Sequence, residues 1–464
     1  MPDFVALNTA LSALRTARVR IDIASHNVAN ASTPGYTRQR VDQHPNPVFQ
    51  SQVGAIGTGV SVSGIGRIRD GFLDARVRTA SSTYGQFSIE HDLLDRAEQI
   101  LAEPDEGITS RLSDLWASFE ELALAPANTG ARIAALGALE DLSARIRSVA
   151  EGWDRLADDV ANHMSVRVDE VNNMLRGVAD LNRQINENIH GGMPNDLMDQ
   201  RDVLLDQLAT AIGATSTPLE GNMVRVSLNG LSLVDGIVPS KLQYAMDPLT
   251  KQVSIVHPSG GMKAGGEIGG YQTFINVDKP ALLGKLNDFV SDFVTALNAQ
   301  HQAGYSDPVA AGGPGVAGGP LFNLVPGEEA RKLTVAITDA SQLAVSSDPG
   351  PPFPVNNGVN AQALADIRTQ LTANGGKDSL DEAMRALVVE LGAKVSVAKR
   401  GADSQEGLLS AAEIVRDSHH GVSLDEELTL LMEAEHSYQA AARVMSAVDE
   451  ALDVLINRTG IVGR

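Results

Sequence analysis

The stretch that decides the fold is residues 423–460, which read SLDEELTLLMEAEHSYQAAARVMSAVDEALDVLINRTG. Its large apolar residues recur every seven positions, at Leu424, Leu431, Tyr438, Met445 and Leu452. A second row falls three positions after the middle and later members of the first, at Ala434, Ala441, Val448 and Leu455. Ser423 with Glu426 has the form of a capping box, and Arg458 with Gly460 is typical of a last helical turn and its stop. We therefore predict one helix, about 50 Å long, that needs a partner for its apolar side.

The N-terminus has the same two-row pattern and is the predicted partner. Its large residues recur at Leu7, Leu14, Ile21 and Val28, and its alanines at Ala10, Ala17, Ala24 and Ala31. Alternating large and small rows let two helix backbones approach closely, and three arginines between positions 15 and 20 complement the acids of the C-terminal helix. We predict that the termini pair as a coiled coil; the alternative is that both are ordinary core-facing helices of a bundle. The predicted assembly seam is Leu7, Leu14, Ile21, Val28, Leu424, Leu431, Tyr438, Met445 and Leu452.

Composition narrows the class of protein. A chain of 464 residues, 43% of them hydrophobic, can form about two to four globular domains. The 37 basic and 58 acidic residues give a net charge of −21, which argues against nucleic acid or an anionic membrane as a partner. No apolar run reaches transmembrane length, so no membrane insertion is expected, and the N-terminal segment does not have the form of a general secretion signal. The absence of cysteine excludes disulfides and thiolate metal sites, and it is compatible with the cytosol or the cell exterior.

The middle of the chain predicts a helical core with a β-rich insertion. Ser-Thr-Pro-Gly at 32–35 must end the first helix. Helical spacing begins at Ile89 and includes a helix of roughly 90 Å from Ala131, stopped by glycines and a proline at 191–194. Alternating and β-branched residues then predict a small β-rich domain, after which helical spacing resumes. The predicted fold is mainly α, a long-helix bundle with an inserted β-rich domain. Its predicted parts are 1–45 and 416–464 (terminal coiled coil), 46–213 and 271–415 (helical core) and 214–270 (insertion).

No group of residues has the pattern of a catalytic or metal site. His419 and His420 stand beside the acids at 425–427, but neighbours on a helix point about 100° apart and do not share a coordination face. We expect a capped, acidic helix start there, with no metal, no cofactor and no enzymatic activity. Tyr36 and Arg38, just after the first helix, are candidates for contacts between subunits, with a solvated turn as the alternative.

Several motifs resemble one family. Residues 25–30, Ser-His-Asn-Val-Ala-Asn, and the break that follows resemble the N-terminal signature of the bacterial flagellar axial proteins, the rod, hook and hook-associated family. The likeness continues through residues 56–60 and 67–73. Residues 199–208, 421–427 and 438–444 are similar to blocks of the hook-associated protein 1 (FlgK) family. The sequence departs from that family at 433–436, where Glu-Ala-Glu-His replaces glutamine-rich residues, and in a shorter middle section.

The resemblance implies a structural adaptor that joins the flagellar hook to the filament through the next junction protein. It also implies export, uncleaved, by the flagellar type III apparatus, and hence a secreted, extracellular protein of the bacterial flagellum. The implied partners are the hook protein, the second junction protein, copies of itself in a ring, an export chaperone and the type III export apparatus. A hook or distal-rod protein is an alternative, but residues 199–208 and the helical core argue against it. Alternatives from other classes are a secreted adhesin or glycan-binding protein, whose function the β insertion would carry, and a cell-wall hydrolase, but the sequence offers no residues that can be named for either.

Overall fold

Long helices make up most of the chain, of which the computed structural model describes residues 2–51, 54–103, 106–188 and 192–454. The helices are α1 (Pro2–Asn30), α2 (Gly71–Leu101), α3 (Ile108–Leu124), α4 (Thr129–Asn188), α5 (Asn195–Ile212), α6 (Gly266–Thr273), α7 (Lys279–Gln302), α8 (Val359–Asp366), α9 (Leu380–His420) and α10 (Leu424–Asp453). The strands are β1 (Gln39–Pro45), β2 (Phe49–Ser51), β3 (Gly54–Ile56), β4 (Val60–Arg67), β5 (Thr215–Pro218), β6 (Val224–Leu228), β7 (Leu231–Asp235), β8 (Val238–Pro239), β9 (Gln243–Met246), β10 (Val253–His257), β11 (Gly260–Met262), β12 (Tyr305–Ser306), β13 (Val316–Ala317), β14 (Phe322–Asn323) and β15 (Thr334–Val335). The predicted mainly α fold with a β-rich insertion is confirmed.

Helices α1 and α10 pack against each other along their lengths and form what we call the terminal pair. The pair is antiparallel, because Asn27 near the end of α1 bonds Glu427 near the start of α10, while Arg20 contacts Glu433 at 3.2 Å. Ser423 caps α10 by accepting the backbone N–H of Glu426. The predicted pairing of the termini is therefore confirmed. The predicted helix stop at Arg458 and Gly460, and the row member Leu455, lie outside the described residues.

Helix α2 begins at Gly71, well before the start at Ile89 that the sequence predicts. Asp70 caps it by accepting the N–H of Phe72 at 2.8 Å. Residues 79–85 are mostly Ser, Thr and Gly, which have low helix propensity and carry no apolar period. The segment is helical because it packs on α5, α6 and α9, with Gly85 close to the carbonyl of Thr210. The prediction was wrong because tertiary packing outweighed local propensity.

The strands between α5 and α6 pack directly on α4. Two antiparallel sheets, in the orders β5-β6-β7-β8 and β11-β10-β9, bury apolar residues in the same cluster as the core of α4. Asn172 of α4 binds both backbone groups of Leu242 at 2.8 Å, and Asn182 donates to the carbonyl of Val224 at 2.8 Å. The residues predicted to form a separate insertion thus share their apolar core with the long helix. Of the residues predicted to stop α4, Gly191 lies outside the described chain.

Candidate assembly site at the terminal helices

The two helices of the terminal pair touch through their small residues. The buried members of the contact are Ala10, Ala17, Ala24, Ala434 and Ala441. Alanine rows on both sides let the backbones approach closely. The large rows named as the assembly seam flank this contact and are only partly covered. In the single chain Leu424 is 50% exposed and Tyr438 is 41% exposed.

Both large rows lie on the same edge of the pair. On α1 the large residue precedes its alanine by three positions, as Leu14 precedes Ala17, and on α10 Leu431 precedes Ala434 in the same way. In an antiparallel pair, positions with the same offset from the contact row meet on one edge. We call this the apolar edge, and its members are Leu7, Leu14, Ile21, Val28, Leu424, Leu431, Tyr438, Met445 and Leu452. The predicted seam residues therefore form one surface and not two.

A buried polar group fixes the register of the pair. Glu427 occupies the position of the alanine row one heptad before Ala434 and is only 1% exposed. Its carboxylate accepts from Asn27 Nδ2 at 3.0 Å and from Arg38 Nε at 2.6 Å. A buried polar side chain among apolar neighbours is satisfied in one alignment of the helices only, so it specifies that alignment.

Tyr36 and Arg38, the residues expected at contacts between subunits, are engaged within the chain. Arg38 bridges Glu427 and Glu426, the latter at 2.8 Å. The hydroxyl of Tyr36 donates to Asn27 Oδ1 at 2.7 Å. Burial raises the pKa of Tyr36, and nearby carboxylates including that of Asp196 add to the shift, so the phenol stays a neutral donor. Both residues hold the turn after α1 onto the start of α10.

His420 joins the terminal pair to the helical core. It is the last residue of α9, and its buried ring nitrogen Nε2 accepts the backbone N–H of Asp70 at 2.8 Å, next to the start of α2. Its own carbonyl accepts the N–H of Arg38 at 3.0 Å. Burial lowers the pKa of His420, opposed by the carboxylate of Asp74. Sequence reasoning treated this histidine as part of an acidic helix start and missed its place in the connection.

An ionic cluster connects the end of β4, the first turns of α2 and the last turns of α9 to α5. Its members are Arg67, Arg69, Arg78, Arg416, Asp74, Asp199, Asp202 and Asp206. Arg67 Nη1 lies 2.6 Å from Asp199 and 2.8 Å from Asp202, and Arg69 contacts Asp202 at 2.8 Å. Burial alone would raise the pKa of Asp202, but Arg69 and Arg67 lower it further than burial raises it. The three aspartates that α5 contributes to the cluster, at 199, 202 and 206, recur at i, i+3 and i+7, on one helix face. That acidic face is the feature of the sequence from which the cluster could have been predicted.

Neighbouring Arg201 stays charged although it is buried. Burial lowers the pKa of Arg201 to about 10, with the arginines at 67 and 69 adding to the effect and Asp202 opposing it. It donates to Asn182 Oδ1 at 3.0 Å and to the carbonyl of Asn222 at 2.6 Å. Helix α5 is thereby fixed to α4 on one side and to the ionic cluster on the other.

The described ranges contain neither a metal-ligand cluster nor a helix that could span a membrane. None of those residues groups three or more His, Asp or Glu side chains in a way that could hold a metal ion. Among the helices described, none combines the length and apolar content needed to cross a bilayer.

Three family profiles match successive parts of the chain: the N-terminal helix, the helical core and the C-terminal helix. Residues 7–37 match the flagella basal body rod protein, 94–322 the flagellar hook-associated protein FlgK helical domain, and 418–458 the C-terminal part of the flagellar basal body rod FlgEFG protein. Flagellar hook-associated protein 1 of Bacillus subtilis (strain 168) is 29% identical, over 99% of each chain. The chain belongs to the flagellar hook-associated protein 1 family. The Escherichia coli (strain K12) protein of the same name is 24% identical, over 97% of this chain and 99% of its own length.

A solved structure supports the fold of this family member. The flagellar hook junction protein FlgK from Burkholderia pseudomallei superposes with a TM-score of 0.65 at 16% identity, covering 76% of this chain and 100% of its own. The rod-type profiles fall on α1 and α10, and the helical-domain profile begins within α2 and ends at β14. The terminal pair thus corresponds to the part that matches the rod-protein profiles. These matches indicate that the chain associates with the hook and other flagellar components. The family resemblance predicted from the sequence is confirmed.

Proposed function

We propose that this protein is a structural, non-enzymatic adaptor at the junction between the flagellar hook and the filament. The observation that carries the proposal is the apolar edge of the terminal pair, which is partly uncovered in a chain of the hook-associated protein 1 family. An adaptor in this role would lie outside the cell, as part of the flagellum. The relatives bear names of structural flagellar proteins, in agreement with a role that requires surfaces and no catalytic group.

The apolar edge is the proposed assembly seam. A large side chain removed from water contributes about 1.5 to 3 kcal/mol, so covering Leu424 and Tyr438 alone would stabilise a subunit contact appreciably. The occupant we propose is a further copy of the chain, and the copies are arranged in a ring. Hook protein would lie on one side of this ring and the second junction protein on the other.

The remaining parts of the proposal concern domains and export. The terminal pair has its own alanine contact, and its buried alanines are not part of the apolar cluster of the helical core. This supports a division into a terminal domain, from 1–45 and 416–464, and a helical core, from 46–213 and 271–415. Residues 214–270 are proposed as an outer part that rests on α4. We further propose export without cleavage by the flagellar type III apparatus, assisted by a chaperone.

The test is direct. Purified protein is added to isolated hook-basal bodies that lack junction proteins, and the hook tips are viewed by electron microscopy. We expect an added layer at the distal tip. An adhesin or a hydrolase has no reason to bind there, so bare tips at saturating protein would reject the proposal.

A further inference from the structure

The hairpin of β2 and β3 exposes its apolar side chains. Phe49 pairs with Ile56 across the two strands. Phe49 is 52% exposed, Ile56 is 40% exposed, and Val48 beside them is 55% exposed. Among the described residues, β2 and β3 have substantial contacts only with each other. An isolated two-stranded hairpin is marginally stable in water, and an exposed apolar group on it marks an interaction surface.

The sequence of the hairpin and its flanks also carries no charged residue. Residues 46–59, NPVFQSQVGAIGTG, contain no Asp, Glu, Lys, Arg or His, whereas 20% of the whole chain is charged. Exposed strands are normally protected by charged residues, which prevent unwanted pairing. The lack of charge here indicates a surface that is covered by another apolar surface. A net charge of −21 argues against an anionic membrane as that surface.

The base of the hairpin is fixed to α1. The N–H of Val60 donates to Ser12 Oγ at 3.3 Å, and Asn46 donates to the carbonyl of Gly59 at 2.9 Å. Gly59 has φ +101°, and a Cβ there would lie 3.3 Å from the Cα of Thr9, so only glycine fits this close approach. The hairpin is therefore held at a fixed height on the terminal pair.

The hairpin is attached on the side of α1 that faces away from the apolar edge. Ser12 is two residues before Leu14 and Thr9 is two residues after Leu7, and residues two apart on a helix point about 200° apart. The hairpin thus leaves α1 on the side away from the apolar edge. Extending the antiparallel register of Asn27 with Glu427 places Ser12 across from the segment of α10 between Tyr438 and Met445.

We propose that the hairpin of one copy packs onto the apolar edge of the next copy, with Phe49 and Ile56 over the Tyr438 to Met445 segment. Each copy then carries a projecting apolar surface on one side and a receiving one on the other. Such a heterologous contact repeats around a ring, whereas a contact between identical surfaces would stop at a dimer. This inference rests on the proposed function, which requires several copies at the junction.

Engineered cysteines can test the contact cleanly, because the natural chain has none. One chain carries Phe49→Cys and a second carries Tyr438→Cys; the two are mixed on isolated hooks and oxidised. We expect disulfide-linked dimers from the mixture, and none from either variant alone. The matched control replaces Phe49→Cys with Val309→Cys, which lies in the loop between β12 and β13 and is 95% exposed. That mixture should give no dimers.

The outcomes separate the two proposals. Variants that bind hooks but give no mixed dimer, or that link Phe49→Cys to itself, overturn the hairpin contact and leave the adaptor role standing. Failure of the unmodified protein to bind hooks rejects the adaptor role itself. As a second measurement, Phe49→Asp should lower the number of capped hooks by about tenfold or more, with an unchanged circular dichroism spectrum. Capping equal to that of Val309→Asp would also overturn the contact.

Discussion

Replacing Glu427 by alanine should loosen the terminal pair without disturbing its shape. Alanine already occupies the next two positions of the same row, at 434 and 441, so the smaller side chain fits the contact. The loss is that of two hydrogen bonds to a buried carboxylate, from Asn27 and Arg38. A hydrogen bond to a charged group contributes about 1.5 to 3 kcal/mol.

The cost should be lower than the sum of both bonds, because each donor has a second acceptor. Asn27 Nδ2 also donates to the carbonyl of Gln39 at 2.9 Å, and Arg38 retains Glu426 at 2.8 Å. We therefore expect the free energy of opening the pair to fall by roughly 2 to 4 kcal/mol. Native-state hydrogen exchange should show this as an increase of roughly 30- to 1,000-fold in the exchange rate of α10 amides.

The control is Glu435→Ala, on an exposed position of the same helix. Its exchange rates should change by less than about threefold, as is usual for surface substitutions. If the two variants exchange alike, Glu427 does not fix the register of the pair, and the interpretation of the buried network is wrong.

The other predictions concern the seam, the ionic cluster and acid stability. Tyr438→Asp should leave the circular dichroism of the free protein unchanged but abolish stable junctions. Gln439→Asp, one position round α10, should have a smaller effect on the junctions. Equal motility of cells complemented with the two variants would contradict this. Asp202→Asn should lower the melting temperature by several degrees. Because the folded pKa of Asp202 is lowered, its contribution is full above the usual aspartate range and is lost as pH falls from that range through the lowered folded pKa; a wild-type slope in the variant would refute it. His301 is buried, is hydrogen-bonded to the carbonyl of Gly319 at 2.7 Å and accepts the N–H of Ala344 at 2.9 Å. Burial lowers its pKa, so protonation favours the unfolded chain. The melting temperature should therefore fall as the pH is lowered from 7.5 to 5.5, and it should fall less steeply in His301→Gln.

The sequence predicted the elements whose apolar period is regular. The heptad rows of α10 and α1 gave their helices, their pairing and the starting cap at Ser423. They could not show whether the two helices run parallel or antiparallel. They also could not show whether the large row or the alanine row forms the contact, because both rows have the same period. Only the positions of Glu427 and Arg20 relative to their partners decide these points.

The rest of the site depends on contacts between distant segments. The start of α2 at Gly71 and the role of His420 arise where α2, α9 and the turn after α1 meet. Likewise, the acidic face of α5 is paired by arginines that are more than a hundred residues away in the chain, such as Arg67 before it and Arg416 after it. No local pattern contains the distance between such segments, so sequence periodicity could not reveal these contacts.

The 60 residues of α4 run without a proline along the core, a span of about 90 Å. In a junction that rotates with the flagellum, this helix would resist bending and twisting of the core. Its buried face packs on α3, α5 and α7 and on strands such as β7, so a kink at any point would separate surfaces elsewhere. Mechanical load would therefore be distributed over the whole core.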